Sequence, residues 1–355
     1  MTPPAAVTSS PRPGRPDDPV EDLLRGAIDV HVHAGPHLFS SPRRVDPFEA
    51  AREARDAGMR AIVYMDVFEM SSGTAWLVNR QLAREDAATD TPPTTPFDTY
   101  GGIILNTIYD GTNPRAVRTA LEYGDGAKFV SFGAHSTWFK ASTEGRVVDG
   151  KPRLFQDLDP GFAARELART IRIPVDGPVG SEIDAILGLM AERPEVVLVT
   201  GHVSGPEALR LVDLAQRYGI EHVLVSGLAV EELTIDEQRE AVAMGALLER
   251  SIAQYIGTEG IPKTHYYVER ELMDELVYDP AFRRTKHGGL LGLAAQIEAI
   301  GAPNVVVSTD YGVRSLPTPV EGMRQAIACL LDLDVDEGSI RTMVRDAPAR
   351  LLGLG

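Results

Sequence analysis

The stretch Ala27-Ile28-Asp29-Val30-His31-Val32-His33-Ala34-Gly35-Pro36 is a short apolar run that ends in His-Val-His and breaks at Gly35-Pro36. Side chains of a strand alternate between its faces, so the spacing predicts His31 and His33 on one face and Val30 and Val32 on the other. Two imidazoles side by side where a strand runs out into a loop form half of a metal site. A solvated strand face can carry the same pair. The remainder of the chain weighs between the two.

Working outward, residues 1 to about 19 are rich in Pro, Ser, Thr and Arg without hydrophobic period, and read as a disordered tail ahead of one domain over 20–355. After the first strand, Asp46-Pro47 opens a helix that stops at Gly58. Apolar runs then recur at 60–66, 101–106, 128–133, 196–200, 222–226, 246–249 and 305–309, separated by helical patterns. Eight such strands, each followed by a helix, predict a parallel sheet, and their number and the chain length favour a closed (β/α)8 TIM barrel. Two stretches interrupt the rhythm. One, about 136–178, contains Trp138 and Phe139 and reads as an irregular insertion with a lid or substrate-contacting role. The other, about 254–286, carries His265 and the pair Tyr266-Tyr267, with His287 just beyond; pocket lining or local packing is all that is expected of them.

Bulk composition narrows the classes. The 355 residues are 43% hydrophobic and 24% charged, ordinary for a globular protein. Acidic residues outnumber basic ones by 51 to 35, a formal charge of −16 that argues against nucleic-acid or anionic-membrane partners and says little more; a small-molecule substrate is the expected partner. A single cysteine, Cys329, in an apolar run, rules out an internal disulfide framework and fits a reducing cytoplasm. No stretch reaches the roughly 18 uninterrupted apolar residues of a membrane span, and no signal-peptide pattern opens the chain. There is no Gly-x-Gly-x-x-Gly and no phosphate-loop motif.

In a barrel of this kind functional groups sit where strands end at the C-terminal face. The first strand ends at His31 and His33, the fifth at His202 and the eighth at Asp310. Three imidazoles and one carboxylate suit a divalent ion such as zinc and leave room for water. Each residue alone has an ordinary structural reading; four at equivalent strand ends are hard to obtain by chance.

The ordered set of motifs resembles the amidohydrolase superfamily of metal-dependent hydrolases, and more narrowly a bacterial branch of unestablished function. The similarity spans about 28–353 and rests on Ile28-Asp29-Val30-His31-Val32-His33, Gly101-Gly102-Ile103-Ile104-Leu105-Asn106, Val199-Thr200-Gly201-His202-Val203-Ser204, Ser308-Thr309-Asp310-Tyr311-Gly312, and the closing run Met343 to Leu352. It implies His31, His33, His202 and Asp310 as metal ligands for one divalent ion, zinc foremost, with manganese or iron as substitutes. It also implies that Asp310 transfers the proton of an activated water in the cleavage of a C–N or C–O bond. A homodimer is common for this architecture.

The departures leave alternatives open. The superfamily usually has a histidine ending the sixth strand; this chain reads Val225-Ser226-Gly227-Leu228 there, and His222 lies at that strand's beginning. After the second strand stand Asp66 and Glu69, which either replace a lost ligand or cap a loop. Lys128, the one candidate for a carboxylated lysine bridging two metals, also opens its strand, which favours a single ion. His135 is a candidate proton shuttle or substrate contact, and Lys140 and Arg314 are candidates to hold an anionic substrate. Beside the hydrolase, the same ligands serve a metal-dependent decarboxylase, and the missing histidine is the best support for a non-catalytic barrel that binds a ligand.

Overall fold

The computed structural model describes residues 18–37, 42–90, 95–255 and 289–354. The tail before Asp18 and nearly all of the second insertion, with His265, Tyr266, Tyr267 and His287, lie outside the described residues. The domain opens slightly earlier than the composition suggests: Asp18 caps a helix over Pro19–Leu24, its carboxylate accepting from the Val20 N–H.

Eight parallel strands build a barrel: β1 (Ile28–Val32), β2 (Ala61–Tyr64), β3 (Asp98–Ile104), β4 (Phe129–Ser131), then, after a hairpin of β5 (Gly145–Val148) and β6 (Lys151–Leu154), β7 (Val197–Val199), β8 (Val223–Val225), β9 (Leu247–Ser251) and β10 (Val305–Ser308). The barrel strands neighbour one another in that order. The predicted (β/α)8 architecture is the observed one.

Alternation along the strands divides the apolar residues into two layers. Ile28, Val30, Ala61, Val63, Phe129, Val197, Val199, Leu224, Leu247 and Val306 pack with one another and with Ala347, Leu351 and Leu352 of the C-terminal helix. Ile62, Tyr64, Val130, Leu198, Val225, Leu248 and Val307 point outward onto helix residues such as Ala50, Val78, Leu121, Leu187 and Leu211. The helices begin where the sequence punctuates them. Asp46 and Glu49 make a reciprocal capping box ahead of Pro47–Asp56, and Ser204 with Glu207 makes another ahead of Gly205–Tyr218.

Two irregularities shape the functional end. In β1, Asp29 pairs with Ile62 and Val32 with Tyr64, so Val30 and His31 together face the single residue Val63, a β-bulge. Strict alternation therefore fails: Val30 packs inside the barrel, whereas Val32 packs outside it. The second irregularity is the seam between β10 and β1. It is carried by Asp310 N–H donating to His31 O (2.9 Å), His33 N–H donating to Tyr311 O (2.8 Å), and the Asp29 carboxylate accepting from Thr309 N–H and Thr309 Oγ–H. The barrel thus closes through the residues of the opening motif.

The first insertion is ordered, not irregular. It holds a helix at Trp138–Thr143, the β5–β6 hairpin and three further helical turns, folded over a small core of Ala141, Phe155, Phe162 and Leu167. Each piece is too short to show a helical or strand period, which is why the sequence pattern reads as loop. Among the described residues no helix is long and apolar enough to cross a membrane.

Candidate metal centre

The bulge and the seam place three ligand-type side chains together. The rings of His31 and His33 are 5.0 Å apart, nearly perpendicular. His33 Nε2 lies 2.9 Å from Asp310 Oδ1, and His31 Nε2 lies 3.5 Å from the same oxygen. One ligand atom from each of His31, His33 and Asp310 falls within 4.8 Å of the others, the only such group among the described residues. Asp310 holds its carboxylate there from a left-handed backbone (φ 55°), a conformation that a non-glycine residue adopts at a cost.

His202 stands beside this trio but outside it. Gly201 (φ 73°) turns the chain there, and a Cβ on it would lie 2.2 Å from Gly133 O, so no other residue allows the approach that lets His202 N–H donate to that carbonyl. The His202 ring centroid is 6.0 Å from that of His135, and its Nδ1 is buried without a hydrogen-bond partner.

One buried group at the centre has no precedent in the sequence reading. Glu249, on β9 and 1% exposed, accepts from His31 Nδ1 at 2.8 Å and Ser308 Oγ at 2.7 Å through Oε1, and from Gly227 N–H at 2.8 Å through Oε2. The end of the sixth barrel strand, where an imidazole is missing, thus contributes a backbone N–H to this carboxylate. The available signal was a glutamate in the apolar run Ala246-Leu247-Leu248-Glu249, two residues from the inward-facing Leu247.

Electrostatics separates the three histidines. Burial opposes a charge on each. For His31 that effect is outweighed by the negative charges of Glu249 and Asp310, which hold its pKa up at about 9. His33 is driven down to about 4 by burial, against its hydrogen bond to Asp310 and with the Arg43 charge adding to the fall. His202 is pushed well below the usual imidazole range by burial, then by His135 and Lys140. Asp29, beneath the site, is raised to about 7 by burial despite its bonds to Thr309 and His31.

The remaining candidates take varied positions. Lys140 reaches the His202 side of the site, but its Nζ pairs with buried Glu144 at 3.1 Å, and His135 Nδ1 lies 3.7 Å from the same carboxyl group. Arg314 is exposed. Asp66 and Glu69 serve a loop: Asp66 accepts from Phe68 N–H and Glu69 N–H, and Glu69 from Thr74 Oγ. Lys128 precedes β4 at the far end of the barrel, its Nζ 5.7 Å from the centre of the Tyr100 ring. His222 lies at that end too, near Gly353.

Arg43, which sequence reasoning passed over, is a cation beside the site whose Nε has no acceptor among the described residues. Its segment is laid across the mouth by an antiparallel bridge to Val313 and by Arg44 N–H donating to Gly312 O. Its Nε is buried and makes no hydrogen bond, while its charge acts on both His33 and Asp66.

A divalent ion fits this donor set: two imidazole nitrogens and a carboxylate oxygen converge, and the nitrogen of His31 that faces away from them is already engaged by Glu249.

Comparisons with known proteins agree with the architecture. An amidohydrolase from Pseudomonas aeruginosa superposes with a TM-score of 0.53 at 12% identity, covering 94% of this chain and 98% of its own. An amidohydrolase from Burkholderia multivorans with bound zinc follows at 0.48 and 12% identity, covering 93% and 99%. A 2,6-dihydroxybenzoate decarboxylase from Rhizobium follows at 0.44 and 14%, covering 93% and 99%. At 12% identity the likeness to the Pseudomonas aeruginosa protein is one of fold. No curated protein matches the chain. A family model described as a family of unknown function, DUF6282, matches residues 26–249. With that match over more than half its length, the chain, an amidohydrolase-like TIM barrel, belongs to the DUF6282 family.

Proposed function

We propose that this protein is a mononuclear metal-dependent hydrolase that cleaves a C–N or C–O bond of a small polar molecule bearing an anionic group. The observation that carries the reading is the convergence of His31, His33 and Asp310 at the C-terminal ends of the first and eighth barrel strands. Zinc suits these donors best, and manganese or iron could replace it. Such an ion, when bound, supplies Lewis acidity toward a carbonyl oxygen and toward water. The chain's own residues do the rest. Asp310, whose side chain is 30% exposed, takes the proton of the attacking water and delivers it to the leaving nitrogen or oxygen. His202 completes the wall beside it, and His135 next to His202 carries protons toward solvent. Arg43 supplies the charge that grips the anionic group; Lys140 adds to the field, and Arg314 draws substrate from the rim. The single cysteine supports a cytoplasmic site of action.

The Arg43 guanidinium, whose buried Nε makes no hydrogen bond, favours decarboxylation as a second reading, because it would hold an acid substrate at the same centre. The test is metal content by plasma mass spectrometry beside a His31→Ala/His33→Ala variant, followed by substrate screening in oxygen-18 water. About one equivalent of metal, lost in the variant, and one heavy oxygen in the product are expected for hydrolysis. Carbon dioxide released without heavy oxygen in the organic product would assign the decarboxylase. Absence of metal after reconstitution would leave a barrel that only binds a ligand.

A further inference from the structure

We propose that Glu249 is a positioning residue that dictates which nitrogen of His31 is offered to the metal; the inference rests on the metal-site reading above. Its carboxylate sits at the end of a closed set of contacts. His31 Nδ1 and Ser308 Oγ reach Oε1, and Gly227 N–H reaches Oε2, each at 2.7–2.8 Å. The residue is 1% exposed, so no water competes for these lone pairs. Each of the three partners can donate, and an ionised carboxylate only accepts, so the arrangement is consistent only with the proton of His31 on Nδ1. Nε2 is then the ring nitrogen facing Asp310, at 3.5 Å, and is the atom that a metal would take by displacing its proton. The carboxylate–histidine–metal arrangement fixes both the tautomer and the ring plane.

The same contacts account for how the chain does without the sixth-strand histidine. The Gly227 N–H at that position holds the carboxylate, and a Cβ on Gly227 would come within 2.8 Å of Ser251 Oγ, so a side chain there would have to displace that hydroxyl. Two strands that supply no ligand, the sixth and the seventh, thereby act on the metal centre through His31.

Glutamine at 249 cannot satisfy three converging donors. Its amide NH2 must face either Gly227 N–H, or His31 and Ser308; in the second orientation it drives the His31 proton onto Nε2 and blocks the ligand atom. Glu249→Met removes the acceptor altogether at similar size. Dissociation constants for Zn2+ and Co2+ are measured by chelator competition at one pH, with the visible spectrum of the Co2+ form and the melting temperature recorded alongside. Glu249→Gln and Glu249→Met should weaken both ions by about 10–100-fold and change the Co2+ spectrum. Ser308→Ala, which removes one donor from Oε1 and is the milder change should the others fail to fold, should weaken them by about 2–10-fold. Wild-type protein that binds neither ion more tightly than the His31→Ala/His33→Ala variant would overturn the metal-site reading and this inference together. Tight binding by wild type with unchanged constants and spectra in the folded variants, even with lowered melting temperatures, would overturn this inference alone.

Discussion

Replacing Gly312 by alanine places a methyl group where the His33 backbone already stands. An added Cβ would lie 1.7 Å from His33 O and 2.7 Å from His33 Cβ, on a backbone whose φ of 142° is suited to glycine. To restore a contact of 3.0 Å the two segments must part by about 1.3 Å, which a close-packed interior resists. The movement strains the Arg44 N–H bond to Gly312 O (2.7 Å) and the His33 N–H bond to Tyr311 O (2.8 Å). Two weakened buried bonds and an unfavourable φ together amount to about 3–5 kcal/mol. For 355 residues that corresponds to a fall in melting temperature of about 4–7 °C. Because His33 and Asp310 stand on the two segments being forced apart, metal affinity should also fall, by about tenfold or more. Calorimetry and chelator competition on wild type and Gly312→Ala read the two effects. A variant that melts within about 1 °C of wild type and binds metal equally well would show that this end of the barrel yields freely, refuting the reasoning.

Arg43→Met should raise KM for carboxylate-bearing substrates by about tenfold or more while leaving neutral analogues unaffected. Because the Arg43 Nε makes no hydrogen bond, its melting temperature should change little; an equal effect on charged and neutral substrates would remove Arg43 from substrate recognition. Glu85 provides a test remote from the site. Hydrogen bonds from Arg52 and Gln81, with the Arg52 and Arg55 charges, hold its carboxyl at about 2 against an ordinary 4.5. That stabilisation is present above pH 4.5 and is lost as pH falls through about 2. Arg52 is 42% exposed, so screening limits the effect to about 0.5–1 kcal/mol. The melting temperature of Glu85→Gln should lie below that of wild type at pH 6 and converge with it toward pH 2; a gap constant with pH would refute the assignment.

The order of apolar runs and helical patterns was enough to announce an eight-stranded parallel barrel, because strand and helix periods are local properties and each run is long enough to show one. The first insertion failed that test: its helices and hairpin strands span six residues or fewer, and only their joint burial of Phe155 and Phe162 makes them stable. Asp66 and Glu69 illustrate a different ambiguity, since a carboxylate that caps a loop and one that binds a metal look alike until their partners are seen.

His31, His33, His202 and Asp310 were legible as candidates because ligand-type side chains at the ends of apolar strands stand out against their surroundings. Which of them meet was decided by tertiary structure. The β-bulge sends Val30 inside the barrel and Val32 outside it, against the alternation of an ideal strand. The seam, a pairing between the two ends of the chain, brings Asp310 onto His33 across 277 positions. Glu249 reaches His31 across 218. Arg43 comes to the mouth only because its segment is laid along Val313. A sequence specifies the type and local period of its residues. The distances at which imidazole, carboxylate and guanidinium acquire their chemistry arise only when the strands close.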